Sequence, residues 1–383
     1  MNDERGTMNE QRKAQVVSCV HHSSFRVSPF TFRLQCSRCS AHRSSFRVHR
    51  FLILLLICTL GASAQGAWQR QRSGTFAWLH AVYFLDAQRG WAVGSNGALL
   101  TTTDGGETWR VERRPTKDAL RDVYFADENN GWLVCERAVY ELTEKDEPRT
   151  FLMSTTDGGA SWKRVEMSGI DVDARLVRAV FGADGRGWVF GEAGALYTTR
   201  DRGLTWARQR LPTRHLLLGG AFLDSERGWL VGAGATILQT ADGGETWRTG
   251  AVLDEAMLDK PRVRFTAVSF VDARRGWAVG AKGHIFATRD GGRTWRAQVS
   301  NVESDLLDVK FTGANEGWAC GTEGVLLYTR DGGARWNNVS SGTPHALERL
   351  CFINNRRGWA VGFGGTIITY DADTPARKPE LRR

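Results

Sequence analysis

GWAVG at Gly90–Gly94 and TTDGGETW ending at Trp109 stand 19 residues apart, glycine to tryptophan, and the chain repeats the pair along most of its length. The first element returns as GWLVC at Gly131, GWVFG at Gly187, GWLVG at Gly228, GWAVG at Gly276, GWACG at Gly317 and GWAVG at Gly358. The second returns as TTDGGASW to Trp162, TRDRGLTW to Trp206, TADGGETW to Trp247, TRDGGRTW to Trp295 and TRDGGARW to Trp336. Four of the six glycine-to-glycine intervals are 41 residues and the other two are 56 and 48. A period of this size belongs to repeat architectures.

One unit resolves into four short strands. AVYFLD is rich in β-formers and ends in the polar turn DAQRG; GWAVG is the second strand and SNG turns it back. ALLTTT is the third strand, DGG breaks it, and ETWRVER is the fourth. Glycines at the breaks leave no helix of ordinary length. Seven units of four strands imply an all-β fold, a seven-bladed β-propeller of four-stranded blades. The chain ends carry complementary defects. The unit at Gly358 runs through GGTIITYDADTP without a later tryptophan, while Trp68 precedes Gly90 by 22 residues, the usual interval from box tryptophan to next glycine. An N-terminal strand completing the C-terminal blade joins first and last blades and removes two exposed sheet edges.

The S/T-x-D-x-G-x-T-W pattern resembles the Asp box, or BNR repeat, of sialidases and sortilin-type receptors. Combined with a Gly-Trp strand in every blade, it is similar to the photosystem II stability and assembly factor family, over about residues 66 to 372. That resemblance implies a seven-bladed propeller without covalent chemistry, binding a protein client through a basic patch. Sialidases need an arginine triad, an acid, a Tyr/Glu pair and usually an Arg-Ile-Pro motif, and no such motif follows residue 64. Xyloglucanase-like relatives use two large propellers, and this chain has length for one.

The six box aspartates, Asp104, Asp157, Asp201, Asp242, Asp290 and Asp331, read as structural: a carboxylate before a Gly-rich loop accepts its backbone N–H groups. None reads as catalytic. Fourteen of the fifteen tryptophans occupy repeat positions, with Trp78 outside them, which leaves little material for a sugar-stacking platform. His80, His215, His284 and His345 lack metal-ligand spacing, so neither metal nor other cofactor is expected.

Residues 1–64 read as a basic leader plus signal peptide. FLILLLICTLGA, from Phe51 to Ala62, lies behind Arg47, His49 and Arg50 and ahead of the small-residue site Ala62-Ser63-Ala64. This apolar run of 12 is too short to span a bilayer. Cleavage after Ala64 gives an exported protein, periplasmic or extracellular, beginning at Gln65. Translation from near Val48 gives a signal peptide of ordinary length. CSRC at Cys36–Cys39 has ligand spacing but no second pair, and Ile57 argues against a lipoprotein at Cys58. Without residues 1–64, which hold nine Lys or Arg and three Asp or Glu, the 51 basic and 42 acidic residues become 42 and 39 and the net charge falls from +9 to +3. A nucleic-acid partner loses its support. Cys135, Cys320 and Cys351 remain and are expected as buried free thiols. The propeller spans 65–372. The basic tail 373–383 is expected to be disordered, with peripheral membrane contact as its one functional reading.

Loops from second to third strand and from fourth to next first strand share one face of a propeller, opposite the boxes. Gly131 to Trp162 exceeds the standard 19 by 12, and the links Trp162–Gly187 and Trp247–Gly276 exceed 22 by 3 and 7. All three excesses fall on the face away from the boxes, where growth and binding are tolerated together. Nine residues before each Gly-Trp glycine stand Ala81, Asp122, Arg178, Gly219, Ala267, Asp308 and Arg349. The four charged members either bind a charged group or pair with one another. Arg121, Arg262 and Arg264 lie close by and extend the candidate client-binding patch. The sequence thus points to a secreted, monomeric scaffold for a protein or peptide client. A glycan-binding protein or sialidase-like glycoside hydrolase is the alternative.

Overall fold

Each unit folds as an antiparallel sheet whose strands lie in chain order. In blade one these are Leu79–Phe84, Gly90–Gly94, Leu99–Thr102 and Arg110–Val111. The computed structural model describes residues 66–138, 140, 142, 147–182, 184–253 and 263–375. The leader 1–64 and the tail from 376 lie outside the described residues. First strands of successive blades adjoin one another around the ring, and the first strand of blade seven, Leu347–Phe352, lies against Leu79–Phe84 of blade one. Among the described residues helix is confined to short 3-10 turns, and none is long and apolar enough to cross a membrane.

The aromatic residues explain both the period and the closure. The phenylalanine ending each first strand stacks on the Gly-Trp indole of the preceding blade: Phe125 on Trp91, Phe222 on Trp188, Phe270 on Trp229 and Phe311 on Trp277, with centroids 3.5–3.7 Å apart. Phe84 stacks on Trp359 at 3.4 Å, so the junction of last and first blades is built like the others. Such pairs contribute about 0.5–1.5 kcal/mol each beyond their buried area. The glycine of each Gly-Trp pair is a steric requirement: a Cβ on Gly276 would sit 2.4 Å from the Phe270 ring. Blades three and seven depart, with Phe181 on Trp132 at 4.8 Å and Phe352 on Trp318 at 6.1 Å.

The same phenylalanines receive the box tryptophans edge-on, at 5.8–6.2 Å and 83–90° in blades one to six. In blade seven Trp68 meets Phe352 at 6.0 Å and 86°. Strand Gly66–Gln71 pairs with Thr366–Pro375, placing Trp68 opposite Tyr370. The expected clasp is therefore present, and its tryptophan fills the place the missing box would have supplied. The last strand runs to Pro375, three residues past the boundary read at 372, because Gly66 pairs there through a bulge.

The boxes are hydrogen-bonded turns. Asp104 Oδ1 accepts the Thr102 hydroxyl at 2.7 Å and the Thr108 N–H at 2.9 Å, Oδ2 accepts the Thr108 hydroxyl, and Thr102 Oγ1 accepts the Gly106 N–H at 2.9 Å. Asp157, Asp201, Asp242 and Asp290 repeat this set, and Asp331 repeats it without the last hydroxyl because Arg335 replaces Thr. These donors hold the Asp104 and Asp157 carboxyls down at about 2.

Candidate functional site

Every first strand carries one extra residue near its start. Leu79 pairs with Gly94 and Ala81 with Val93, leaving His80 as a bulge. The same shift leaves Arg121, Val177, Leu218, Thr266, Leu307 and Glu348 unpaired in the other six blades. In the six blades whose pentapeptide ends in glycine the backbones approach closely beside the bulge, and a Cβ on Gly94 would fall 2.1 Å from the Trp78 carbonyl oxygen. A bulge re-aims side chains. The seven bulge residues, His80, Arg121, Val177, Leu218, Thr266, Leu307 and Glu348, together line a cavity of about 190 Å³. Arg175, Arg178, Arg264 and Arg349 complete its wall.

The seven-membered ring of positions one residue deeper divides in two. Asp122 and Asp308 are buried and staple neighbouring blades: Asp122 Oδ2 accepts the Ala179 N–H at 3.0 Å and Asp308 Oδ2 accepts the Leu350 N–H at 2.9 Å. Arg178, also buried, reaches Asp308 at 3.8 Å from three blades away. Burial, then the charge of Arg349, pulls the Arg178 guanidinium down to about 10, so it remains protonated at neutral pH. Arg349 lines the cavity with its Nε unpartnered. The structure therefore brings Arg121, Arg178, Arg264 and Arg349 together at one mouth and places Asp122 and Asp308 beneath it. Arg262 lies outside the described residues.

The sequence reading missed several contributors. Glu136 occupies the place where other blades begin their 3-10 turn; in blade two the strand continues, Cys135 replaces glycine, and Glu136 pairs with Thr150. Its buried carboxylate takes Arg121 at 2.5 Å, Arg149 at 2.9 Å and Arg175 at 3.1 Å. Burial alone would raise the Glu136 carboxyl; the guanidiniums of Arg121 and Arg175 outweigh it and hold it below the usual range. The long hairpin of blade two and the link before blade three meet here, Arg149 donating its N–H to the Val172 carbonyl at 2.9 Å. The signal for Glu136 was present in the sequence: GWLVC breaks the glycine rule in the one blade with a 12-residue excess.

His80 reports the resulting field. Burial, reinforced by Arg121, Arg349 and Arg175, lowers its pKa to about 3, and its neutral ring lies 3.2 Å from the Arg121 guanidinium. Glu348 is the one carboxylate on the cavity wall, and burial raises its pKa. Of the five wall arginines, Arg121 and Arg175 share Glu136, Arg178 reaches Asp308 and Arg264 reaches Asp305 at 3.3 Å, so among the described residues Arg349, its Nε unpartnered, is the wall guanidinium best placed to receive an anion. Wider clefts of about 640 and 530 Å³ lie on the box face around Trp277 and Trp132. They are gaps between neighbouring turns whose box aspartates, Asp331 and Asp201, are already hydrogen-bonded within those turns. Among the described residues no group of three or more potential metal ligands occurs.

Fold and mouth together define a closed Asp-box propeller with an arginine-lined concavity at one opening. The profile of the Photosynthesis system II assembly factor YCF48 family matches residues 111–216, 204–301, 255–344 and 297–371. The chain belongs to that family. Among solved structures it is similar to YCF48 from Cyanidioschyzon merolae, at 20% identity and TM-score 0.65 over 80% of this chain and all of that one. It is also similar to YCF48 bound to D1 peptide, at 22% identity and TM-score 0.65 over 82% of this chain and all of that one. The GH74 xyloglucanase from Xanthomonas campestris shares the fold at 13% identity and TM-score 0.61, over 80% of this chain and 54% of the enzyme. No curated protein matches the chain.

Proposed function

We propose that this protein is a non-enzymatic, assembly-factor-like propeller that holds a peptide segment of a protein client by a carboxylate seated in the arginine-lined mouth. The observation that carries this reading is the convergence of Arg121, Arg175, Arg178, Arg264 and Arg349 on one small cavity. About 190 Å³ admits a side chain or a chain end and excludes a folded domain. A family relative whose structure holds a D1 peptide supports a peptide as the class of client. Asp122, Asp308 and Glu136 are committed to backbone N–H groups or guanidiniums, which favours binding over the paired free carboxylates of glycoside hydrolysis. We further propose that the protein works after export, beginning at Gln65; N-terminal sequencing of the mature protein tests this.

The direct test is fluorescence anisotropy with short labelled peptides, one ending in a free carboxylate, one amidated, and one carrying internal Asp residues. Binding of a carboxylate peptide should weaken steeply with salt and fall at least tenfold in the Arg175→Glu, Arg349→Glu double variant. Comparison of the free and amidated ends assigns the carboxylate to chain end or side chain. Equal affinity for a charge-free peptide would overturn the reading, and release of sugar from an oligosaccharide panel would replace it with the glycosidase.

A further inference from the structure

Beside the mouth stands an exposed aromatic pair that the repeat does not require. Trp78 lies outside both repeat positions and is 41% exposed. It sits immediately before the first strand of blade one, where blades two to seven carry Ala119, Arg175, Leu216, Arg264, Asp305 and Ala346. Phe363, 48% exposed, opens the turn of blade seven, a place held by Ser95, Glu192, Ala281 and Thr322 in blades one, three, five and six. The two rings meet edge-to-face at 5.4 Å. Neither stacks on a Gly-Trp indole, and neither position is needed for packing in the other blades.

The pair is held rigidly and next to the anion site. The Trp78 indole N–H donates to Glu348 on the cavity wall at 2.9 Å, and the Trp78 ring lies 5.6 Å from His80. His345 meets Phe363 edge-to-face at 5.6 Å. The loop before Trp78 is pinned to the Phe363 turn by the Gly365 N–H on the Ala77 carbonyl at 2.8 Å. Exposed aromatics on a fixed mount lose little conformational entropy on contact, which is what a binding anchor needs.

We propose that Trp78 and Phe363 form an apolar ledge that seats a hydrophobic side chain of the same peptide whose carboxylate enters the mouth. This rests on the reading of the mouth as a carboxylate site. The ledge begins one side chain away from His80 and Arg121, so the hydrophobic residue lies on the order of two or three extended residues from the carboxylate. Charge and apolar surface side by side define the partner: an acidic segment with an adjacent Leu, Phe or similar residue, in place of a uniformly acidic one.

The test uses two labelled peptides identical except for Leu or Ala at about the third residue from an Asp pair. Wild-type protein should bind the Leu peptide about tenfold more tightly, and the Trp78→Ala, Phe363→Ser double variant should lose that preference while binding the Ala peptide as before. Trp78→Phe removes the N–H to Glu348 but keeps the ring, so it should retain the preference. Equal weakening of both peptides in the double variant would show that Trp78 acts through Glu348 and would overturn the ledge, as would an unchanged preference. If neither peptide binds wild type, the carboxylate reading and the ledge fall together; if both bind equally, the ledge alone falls. Thermal unfolding of each variant confirms that the half-exposed positions leave the fold intact.

Discussion

His80 and the box aspartates give the protein two separate acid sensitivities. The His80 pKa is about 3 in the fold against 6.5 for an ordinary imidazole, so between these values the unfolded chain binds a proton that the folded chain refuses. Stability therefore declines as pH falls below about 6.5. The Asp104 and Asp157 carboxyls titrate at about 2 instead of 3.8, so their contribution is complete above about pH 4 and is lost as pH falls toward 2. Urea midpoints measured from pH 7 to 2 should show both declines, and His80→Gln should flatten only the upper one. An unchanged upper slope in that variant would falsify the assignment. Residue roles fixed by the repeat were legible in the sequence: six equivalent aspartates ahead of glycines have few alternatives to a turn. The role of His80 was not legible, because the bulge that places it on the cavity wall beside Arg121 leaves no mark in the residue pattern.

The clasp strand is the element on which closure depends. Trp68 is buried against Phe352, Trp318 and Tyr370, yet its indole Nε1 has no hydrogen-bond partner. Trp68→Ala should cost about 3–5 kcal/mol, while Trp68→Phe, which gives up only an unpaired N–H and part of a ring, should cost less than half of that. Urea unfolding distinguishes them, and equal losses would mean that the ring packing described for blade seven is not what stabilises it. Elsewhere the outer strands are mostly two residues long, as at Arg110–Val111 and Asn337–Asn338, and present little open edge. Blade five has a five-residue outer strand, Thr294–Gln298, and there the preceding link adds a parallel strand, Ala251–Val252, over it. The complementary chain ends announced the clasp through one missing and one surplus tryptophan. The added strand had no such marker, since two residues of parallel pairing leave no periodic trace.

The charge at the mouth is local. Residues 65–383 carry a net charge of only +3, yet five arginines line one cavity, so the clustering of positive groups is confined to one opening of the ring. Loop lengths in the sequence pointed to the face on which the arginine-lined cavity lies, because insertions accumulate where they do not disturb the sheets. It could not tell which arginines meet, since Arg121, Arg149 and Arg175 come from two blades and are gathered by Glu136.

A ring sealed by its own two ends also has a fixed timetable. Strand Gly66–Gln71 leaves the ribosome roughly 300 residues before Pro375, its last partner, a wait on the order of 15 seconds to a minute at ordinary synthesis rates. Through that interval the N-terminal strand has no sheet to join, and the final docking step must close the longest loop the chain possesses. Because Gly66 and Pro375 are paired antiparallel, the strand can be moved behind Pro375 through a short turn and still reach the same register. Such a rearranged chain should keep the native urea midpoint but refold several-fold faster in stopped-flow fluorescence. Identical rates would show that the ring is limited by the assembly of individual blades, and that the late arrival of its seal is kinetically silent.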